Sequence, residues 1–466
     1  MKLYNSLNKQ TEEFISLKKG VVGMYTCGPT VYDFAHIGHG RKYVMDDLLR
    51  RLLIYHNYNV THVQNITDVG HLVSDADEGE DKLEKGAKKV GKSVWDVAKF
   101  YTEQFFEDMD KLNIMRPDIS CKATDNINEQ VELVQRLVEK GFAYDTPEAV
   151  YFSVSNFPRY GQMFSQHLDE KQIAVREDVI TGSHKKHPAD FVLWVKTVGA
   201  HANHVMRWPS PWGEGFPGWH IECSAMAIKY LGESFDIHTG GEDHLSIHHP
   251  NEIAQSEAAT GKPFAKYWLH YAFLTVDGTK MSKSLGNIYR VGDVVEKGFS
   301  PISLRYLYLT AHYRTPLNFT WSALAGAQTA LDKLIAFMRS DKVTKLQSNK
   351  AKKVDEYKNK FMDAINNDLN FPMAIAVVWE MIKSNIPDSD KKSLLLDWDT
   401  ILGLGLNEVK DDTVPEKVKQ LAQVRDQLRK EGKFVNADEA RNEIEKLGWE
   451  VKDTPTGPKF AKLKSW

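Results

Sequence analysis

Val21-Val-Gly-Met-Tyr-Thr-Cys27 begins the stretch that decides the fold, because strand and helix patterns alternate from here on. These residues predict a short buried strand, which Gly28-Pro29 ends. Residues 40–55 carry apolar side chains every three or four positions, which indicates a helix lying on a sheet. Residues 59–67 predict a second strand. The order strand–helix–strand predicts a parallel sheet with a right-handed crossover.

The tetrapeptide His36-Ile-Gly-His39 stands where such a sheet binds ligands, beyond the carboxyl ends of its strands. Two histidines at the start of a helix offer N–H donors near the positive end of the helix dipole, which favours phosphate. Gly38 lets a ligand approach the backbone. A solvated loop with two histidines would give the same tetrapeptide.

A second candidate phosphate site is Lys280-Met-Ser-Lys-Ser284, which follows the turn Asp277-Gly-Thr279. Two lysines and two hydroxyls on a polar loop suit a polyphosphate. By itself the pentapeptide is more typical of a surface turn. Both motifs occur in one α/β pattern, however, and this combination favours nucleotide binding.

The composition excludes several classes of protein. The 466 residues include 60 Lys+Arg and 63 Asp+Glu, so nucleic-acid binding would need a local basic face. Hydrophobic residues make up 42%, too many for a disordered chain. Three cysteines exclude a disulfide scaffold and fit a reducing compartment. We find no signal-peptide pattern and no apolar run of about 18 residues, and therefore expect a cytoplasmic protein without membrane contact.

Together the two motifs are similar to the two signatures of class I aminoacyl-tRNA synthetases, and further stretches resemble the cysteinyl-tRNA synthetase family in particular. The similarity runs over nearly the whole chain. The stretches are Met24-Tyr-Thr-Cys-Gly-Pro-Thr-Val-Tyr-Asp33, Asn65-Ile-Thr-Asp68, Phe216-Pro-Gly-Trp-His-Ile-Glu-Cys-Ser-Ala-Met226, Asp236-Ile-His-Thr-Gly-Gly-Glu-Asp243, His248-His-Pro-Asn-Glu-Ile-Ala-Gln255, Ala437-Asp-Glu-Ala-Arg441 and Asp453-Thr-Pro455.

The resemblance implies an α/β fold. We expect a Rossmann-like parallel-sheet catalytic domain with an inserted α+β subdomain, then an α-helical bundle and a small C-terminal domain. The expected boundaries are 1–110 and 211–290 for the catalytic halves, 111–210 for the insertion, 291–325 for a connector, 326–410 for the tRNA-binding bundle and 411–466 for the anticodon-recognition domain.

The resemblance also implies one zinc ion per chain, with Cys27, Cys223, His248 and Glu252 as ligands. Thiolate, imidazole and carboxylate are common zinc ligands. The spacing of His248 and Glu252 puts both on one helical face. Spacing alone would make the two cysteines core residues, as we expect for Cys121.

This chain departs from the family pattern next to the expected ligands. Pro250 stands where the family has a glutamate, and Leu245-Ser-Ile247 replaces the commoner Phe-Pro form. Proline is tolerated in the first helical turn, so His248 and Glu252 can still share a face.

The reaction that the resemblance implies has two steps. The carboxylate of cysteine attacks the α-phosphate of ATP, which Mg²⁺ accompanies, and the cysteinyl group then passes to a ribose hydroxyl at the 3′ end of tRNA(Cys). Zinc would separate cysteine from serine through the thiolate, without hydrolytic chemistry or an editing site. The implied catalytic residues are His36, His39, Lys280 and Lys283; the nucleotide contacts are Lys283, His36, His39, Gly38 and Ser282; the cysteine pocket is Thr67, Trp219, His238 and Asp243.

The C-terminal region is expected to contact tRNA through the unpaired bases. Phe434, Trp449, Phe460 and Trp466 could stack on such bases. For Phe434 and Trp449, taken singly, burial in a core is the competing interpretation. We expect a monomer.

Two other functions fit part of the pattern. A cysteine ligase resembling mycothiol biosynthesis would form the same adenylate, but its small acceptor needs no long helical region. An inactive relative that binds RNA or zinc would not need His36, His39, Lys280 and Lys283 intact.

Overall fold

A computed structural model of the chain describes residues 1–69, 81–161, 184–282, 285–340, 351–408, 414–454 and 457–462. The strands are β1 (Lys2–Asn5), β2 (Gln10–Glu13), β3 (Val21–Thr26), β4 (Asn59–Ile66), β5 (Ile119–Lys122), β6 (Ala143–Asp145), β7 (Ala149–Phe152), β8 (Phe191–Lys196), β9 (Gly215–Pro217), β10 (Phe235–Gly241), β11 (Ala265–Tyr271), β12 (Leu274–Val276), β13 (Thr279–Lys280), β14 (Leu317–Phe319), β15 (Trp449–Thr454) and β16 (Gly457–Lys462). The helices are α1 (Ile37–Tyr55), α2 (Lys82–Val90), α3 (Val94–Lys111), α4 (Ile127–Glu139), α5 (Trp219–Leu231), α6 (His248–Thr260), α7 (Val291–Glu296), α8 (Pro301–Leu309), α9 (Trp321–Met338), α10 (Ala351–Asn366), α11 (Phe371–Lys383), α12 (Asp388–Leu402), α13 (Glu416–Lys430) and α14 (Phe434–Lys446).

The central sheet has five parallel strands in the order β11-β10-β3-β4-β5. The predicted strand–helix–strand unit is confirmed as β3-α1-β4. Val44, Leu48 and Leu52 of α1 are fully buried, as the apolar stripe predicts. Because all five strands run the same way, their carboxyl ends meet at one edge, where the chain leaves β3 at Cys27.

The insertion is a small α+β unit. Strands β6, β7, β8 and β9 form an antiparallel sheet. Its apolar core includes Phe152, Phe191 and Trp194 and continues onto Ile221 of α5 and Ala254 of α6. The insertion therefore packs against the two helices that carry Cys223, His248 and Glu252.

A buried cation, Arg305, is one of the contacts that join the helical region to the sheet. The guanidinium of Arg305 is fully buried on α8 and donates to the backbone carbonyls of Leu112, Asn113 and Leu402, while it pairs with Asp47 of α1 at 2.5 Å. Such a cation stabilises the junction only while its carboxylate partner is in place. The apolar core of the helical region is also continuous with the core of the catalytic sheet.

The C-terminal end is a helix pair followed by a hairpin that the sequence analysis missed. Strands β15 and β16 pair antiparallel, and Trp449 and Val451 join Val418, Ala422 and Ile444 in a separate small core. Trp449 is therefore buried, as the competing interpretation had it. For Phe434 that interpretation is wrong, because the ring is 61% exposed. Trp466 and the expected boundary at residue 410 lie outside the described residues.

Two further points concern surface segments. The acidic stretch 75–82 is described only at its end, where Asp81 is buried as the N-cap of α2 and accepts from the N–H groups of Leu83 and Glu84. In the part of the chain that the structure describes, no helix is both long and apolar enough to cross a bilayer.

Candidate nucleotide and metal site

A cavity of about 620 Å³ opens at the carboxyl edge of the central sheet. Its walls bring together most of the side chains singled out in the sequence: His36, Gly38, His39, Thr67, Trp219, Asp243, Lys280, Cys27, Cys223 and His248. This is the edge at which parallel α/β sheets bind their ligands.

The paired histidines form the first turn of α1. His36 is the N-cap, and its Nδ1 accepts from the N–H groups of Gly38 at 3.1 Å and His39 at 3.3 Å. The N–H of His36 in turn donates to Nδ1 of His39, and the two rings stack 3.6 Å apart. Since Nδ1 accepts in both rings, Nε2 carries the proton of each neutral imidazole. Burial lowers the pKa of His36 to about 4, so its ring is a neutral N–H donor at neutral pH.

The lysine motif touches this helix start through Met281. A Cβ atom on Gly38 would lie 2.6 Å from Cε of Met281, so the absence of a side chain there permits the contact. Lys280 is exposed and its Nζ lies over the ring of Phe273. The Ser282 N–H donates to Oδ1 of Asn287 at 2.8 Å, which fixes the turn. Lys283 and Ser284 lie outside the described residues, and Ser282 is not among the described residues that line the cavity.

Four candidate metal ligands converge at the inner end of the cavity, where Cys27, Cys223 and His248 line the wall and Glu252 is not among the described residues that do. Cys27 follows β3, Cys223 lies in α5, and His248 and Glu252 lie one turn apart in α6. Their ligand atoms all lie within 4.8 Å of one another, and all four side chains are buried. Nε2 of His248 is 3.0 Å from Oε1 of Glu252. Pro250 sits in the first turn of α6, as predicted, and leaves this shared face intact.

The electrostatics of the four residues suit a cation. Burial raises the pKa of the Cys27 thiol. The hydrogen bond with Cys27 and then burial raise the pKa of Cys223 well above its usual range. Burial lowers the pKa of His248, but the charges of Glu252 and Cys223 outweigh it and raise the value to about 10. Burial raises the pKa of Glu252, but the charges of His238 and His248 outweigh it and lower the value below its usual range, so this carboxylate is ionised. The two thiols would release their protons when a divalent cation binds.

The donor set fits zinc. Ligand atoms about 2.0–2.3 Å from one tetrahedral ion lie roughly 3.3–3.8 Å apart, inside the spread of the four atoms here. Two sulfurs, one nitrogen and one oxygen are ligands that Zn²⁺ accepts. The buried cluster can therefore hold a metal ion.

The structure also shows a ring of histidines around this cluster that the sequence analysis had not grouped. His249 lies 3.4 Å from Sγ of Cys27, and its Nδ1 is 2.7 Å from Nε2 of His270. Cys27, His238, His249 and Glu252 form a second set of possible ligands that shares two members with the first. The dipeptide His248-His249 was the only sequence signal for this arrangement.

Three of the four residues expected to bind cysteine line the cavity, and the fourth, His238, does not. The hydroxyl of Thr67 donates to the buried Glu222 at 2.8 Å and accepts from the side-chain amide of Asn65. The half-buried ring of Trp219 stacks on His248 at 4.3 Å, and Asp243 is exposed to the cavity. His238 is buried and bonds to Oε2 of Glu252 at 2.9 Å; it is not among the described residues in the cavity wall.

Comparisons with known proteins agree with this architecture. The family described as "tRNA synthetases class I (C) catalytic domain" matches residues 13–329, and the DALR domain matches residues 360–386. Mycobacterium tuberculosis methionyl-tRNA synthetase in complex with methionyl-adenylate shares the fold at 14% identity, with a TM-score of 0.58 over 84% of this chain and 93% of that one. The Agrobacterium radiobacter LeuRS–tRNA–LeuAMS ternary complex gives a TM-score of 0.61 at 11% identity, over 84% and 85%. Fold and site thus define a class I aminoacyl-tRNA synthetase.

Closer relatives specify the family. Cysteine--tRNA ligase 1 of Burkholderia lata is 46% identical over 98% of this chain and 96% of its own length. The cysteine--tRNA ligase of Treponema denticola is 41% identical over 99% and 100%. The chain belongs to the cysteine--tRNA ligase family and is an aminoacyl-tRNA ligase. The two other functions considered from the sequence are not favoured.

Proposed function

We propose that this enzyme activates cysteine with ATP to cysteinyl-adenylate and transfers the cysteinyl group to the 3′ end of tRNA(Cys). The observation that carries the proposal is the junction of two elements in one cavity: a helix start that offers neutral imidazole donors, and four buried metal-ligand candidates within 4.8 Å of one another. The first suits a triphosphate and the second suits a thiol.

Amino-acid selection rests on the buried ligand set. Cys27, Cys223, His248 and Glu252 would hold one zinc ion, which when bound favours a thiolate over a neutral hydroxyl. A pocket of fitted shape gains only about 1–3 kcal/mol from so small a difference as sulfur against oxygen. His238 supports Glu252 from behind through their 2.9 Å contact. Thr67, Trp219 and Asp243 complete the cysteine pocket.

Adenylate formation is mainly a matter of position and charge. Nε2–H of His36 and His39 donates to ATP phosphates, with Gly38 and Ser282 as further nucleotide contacts. Lys280 and Lys283 neutralise the charge that grows as pyrophosphate leaves, and Mg²⁺ accompanies ATP. No protein nucleophile is required, because the carboxylate of cysteine attacks the α-phosphate.

The region after Trp321 supplies the tRNA contacts in this proposal. Its helices share a core with the catalytic sheet, and the small C-terminal unit, here residues 414–462, has a core of its own. A monomeric state and a cytoplasmic location stay predictions.

Two assays test the proposal. Cysteine-dependent ATP–pyrophosphate exchange measures adenylate formation, with serine as the competing amino acid, and charging of tRNA(Cys) measures transfer. We expect exchange with cysteine, none with serine, and charging with added tRNA. Serine exchange at the cysteine rate would overturn selection by zinc; exchange without charging would point to another acceptor.

A further inference from the structure

Lys42 is a cation in the cavity wall to which neither motif assigns a role. It lies on α1 one turn after His39, and its side chain is only 12% exposed. Its Nζ donates to the backbone carbonyl of Cys27 at 2.5 Å and lies 2.8 Å from Oδ2 of Asp46. The ammonium is therefore held beside the strand end that carries a candidate metal ligand.

Asp46 fixes the position of this ammonium. The other oxygen of Asp46, Oδ1, accepts from the hydroxyl of Thr239 at 2.6 Å and from the hydroxyl of Tyr271 at 2.9 Å. Those two residues belong to β10 and β11, so the carboxylate is anchored to the central sheet. Asp46 is 2% exposed. A lysine fixed in this way loses little further freedom when it binds a ligand.

The donor count leaves at least one N–H of Lys42 for a ligand. An ammonium has three N–H donors; the carbonyl of Cys27 accepts from one, and Asp46 pairs with the ammonium by charge at 2.8 Å, so these two contacts occupy at most two donors. The ring of Tyr43 lies 4.4 Å from Nζ and does not change this count. Lys42 lines the cavity between Cys27 on one side and His39 on the other.

We propose that Lys42 binds the carboxylate of the substrate cysteine. The inference rests on the proposed function, in which the sulfur of cysteine lies at the metal ligands and the phosphates lie at the paired histidines. Only two carbon atoms separate the sulfur of cysteine from its carboxyl carbon, so the carboxylate must lie between these sites. That is where Nζ of Lys42 is held, while Asp243 offers the opposite charge for the ammonium of the amino acid.

Lys42 thus acts as a positioning group for the attacking carboxylate. A charge-assisted hydrogen bond holds one carboxylate oxygen and leaves the other for the α-phosphate. The competing interpretation is an ion pair that only braces α1 against the sheet. The two interpretations differ in one measurable respect, which is whether binding depends on the carboxylate of the ligand.

The test compares cysteine with cysteamine, which is cysteine without its carboxylate. Isothermal titration calorimetry on the full-length, zinc-loaded protein gives the Kd of both ligands for wild type and Lys42→Met. We expect the substitution to raise the Kd of cysteine about 10- to 100-fold and that of cysteamine by less than about twofold. Lys42→Arg should retain part of the preference for cysteine, because the cation remains.

The matched control is Lys82→Met. Lys82 lines the same cavity, and its Nζ lies over the ring of Tyr32. This variant should leave both Kd values unchanged. Lys42→Met alone leaves the carboxylate of Asp46 buried without its cation, which can destabilise the fold. The double variant Lys42→Met/Asp46→Asn removes both charges together and therefore avoids this effect.

Equal weakening of cysteine and cysteamine by both Lys42 variants would overturn the inference and make the pair structural. So would an unchanged Kd for cysteine. Neither result touches the proposed function, which fails if wild type gives no cysteine-dependent pyrophosphate exchange or no charging of tRNA(Cys).

Discussion

The cavity and the C-terminal unit are built in opposite ways. The four candidate metal ligands come from positions 27, 223, 248 and 252, and one strand and two helices must be in place before they meet. Among the described residues, the buried core of the C-terminal unit comes from positions 418–451, with Val414 and Phe460 packed against it. A site assembled over long range depends on single atoms held by the entire fold, whereas a unit of local contacts can be changed or removed by itself.

The largest effect should follow from removal of one thiolate in the cavity. Cys223→Ser replaces a proposed zinc ligand with a hydroxyl. We expect metal affinity to fall by more than about 100-fold, because even the loss of a residue that only supports a ligand can lower metal affinity by up to about that factor. Metal analysis of the purified protein measures this. Cys121→Ser, at a buried cysteine outside the cluster, is the matched control and should keep its metal. Full zinc occupancy in Cys223→Ser would refute the ligand assignment.

A smaller loss is expected from the lysine motif. Lys283→Ala or Lys280→Ala removes a cation that we propose neutralises the leaving pyrophosphate, and the exchange rate should drop about 10²- to 10³-fold while the Kd of cysteine stays near wild type. Titration with cysteine separates the two quantities. An unchanged exchange rate would exclude that lysine from the mechanism.

Removal of the local unit should separate the two activities. A chain lacking residues 411–466 is expected to charge tRNA(Cys) poorly and to retain pyrophosphate exchange, since the core of residues 414–462 is distinct from that of the catalytic sheet. Equal loss in both assays would show that the segment supports the catalytic fold instead.

A single substitution in the core of the C-terminal unit should also reduce charging of tRNA(Cys) while pyrophosphate exchange continues. Trp449 is 5% exposed, and Trp449→Ala is expected to cost about 3–5 kcal/mol, enough to unfold a core of this size. Limited proteolysis would then cut within residues 414–462, and exchange should continue. Loss of exchange in this variant would contradict the independence of the two regions.

The smallest effect on stability is expected at the exposed ring of the same unit. Phe434→Ala should change the free energy of unfolding by less than about 0.5 kcal/mol. If the ring stacks on an unpaired base, the variant should weaken tRNA binding by about 1–3 kcal/mol. Fluorescence titration with tRNA(Cys) measures this. A stability loss equal to that of Trp449→Ala would place Phe434 in a core after all.

Local patterns predicted the first strand–helix–strand unit, which the structure shows as β3, α1 and β4. The hairpin β15–β16 was missed because strands of six residues beside glycine and proline carry little periodicity. Phe434 and Trp449 show the same limit, since both are aromatic residues beside a helix end and only packing makes one buried and the other exposed.

The sequence by itself determined the class of chemistry, because the paired histidines, the lysine turn and the ligand residue types are written in short continuous stretches. Only the tertiary structure decided which side chains meet. It places Cys27 beside Cys223 and His249 against Cys27, and it puts His238 in contact with Glu252. It also fixed Lys42 between the strand end and Asp46. The physical reason is that the carboxyl edge of a parallel sheet gathers residues from crossover connections of any length, so sequence distance contains no information about their separation in space.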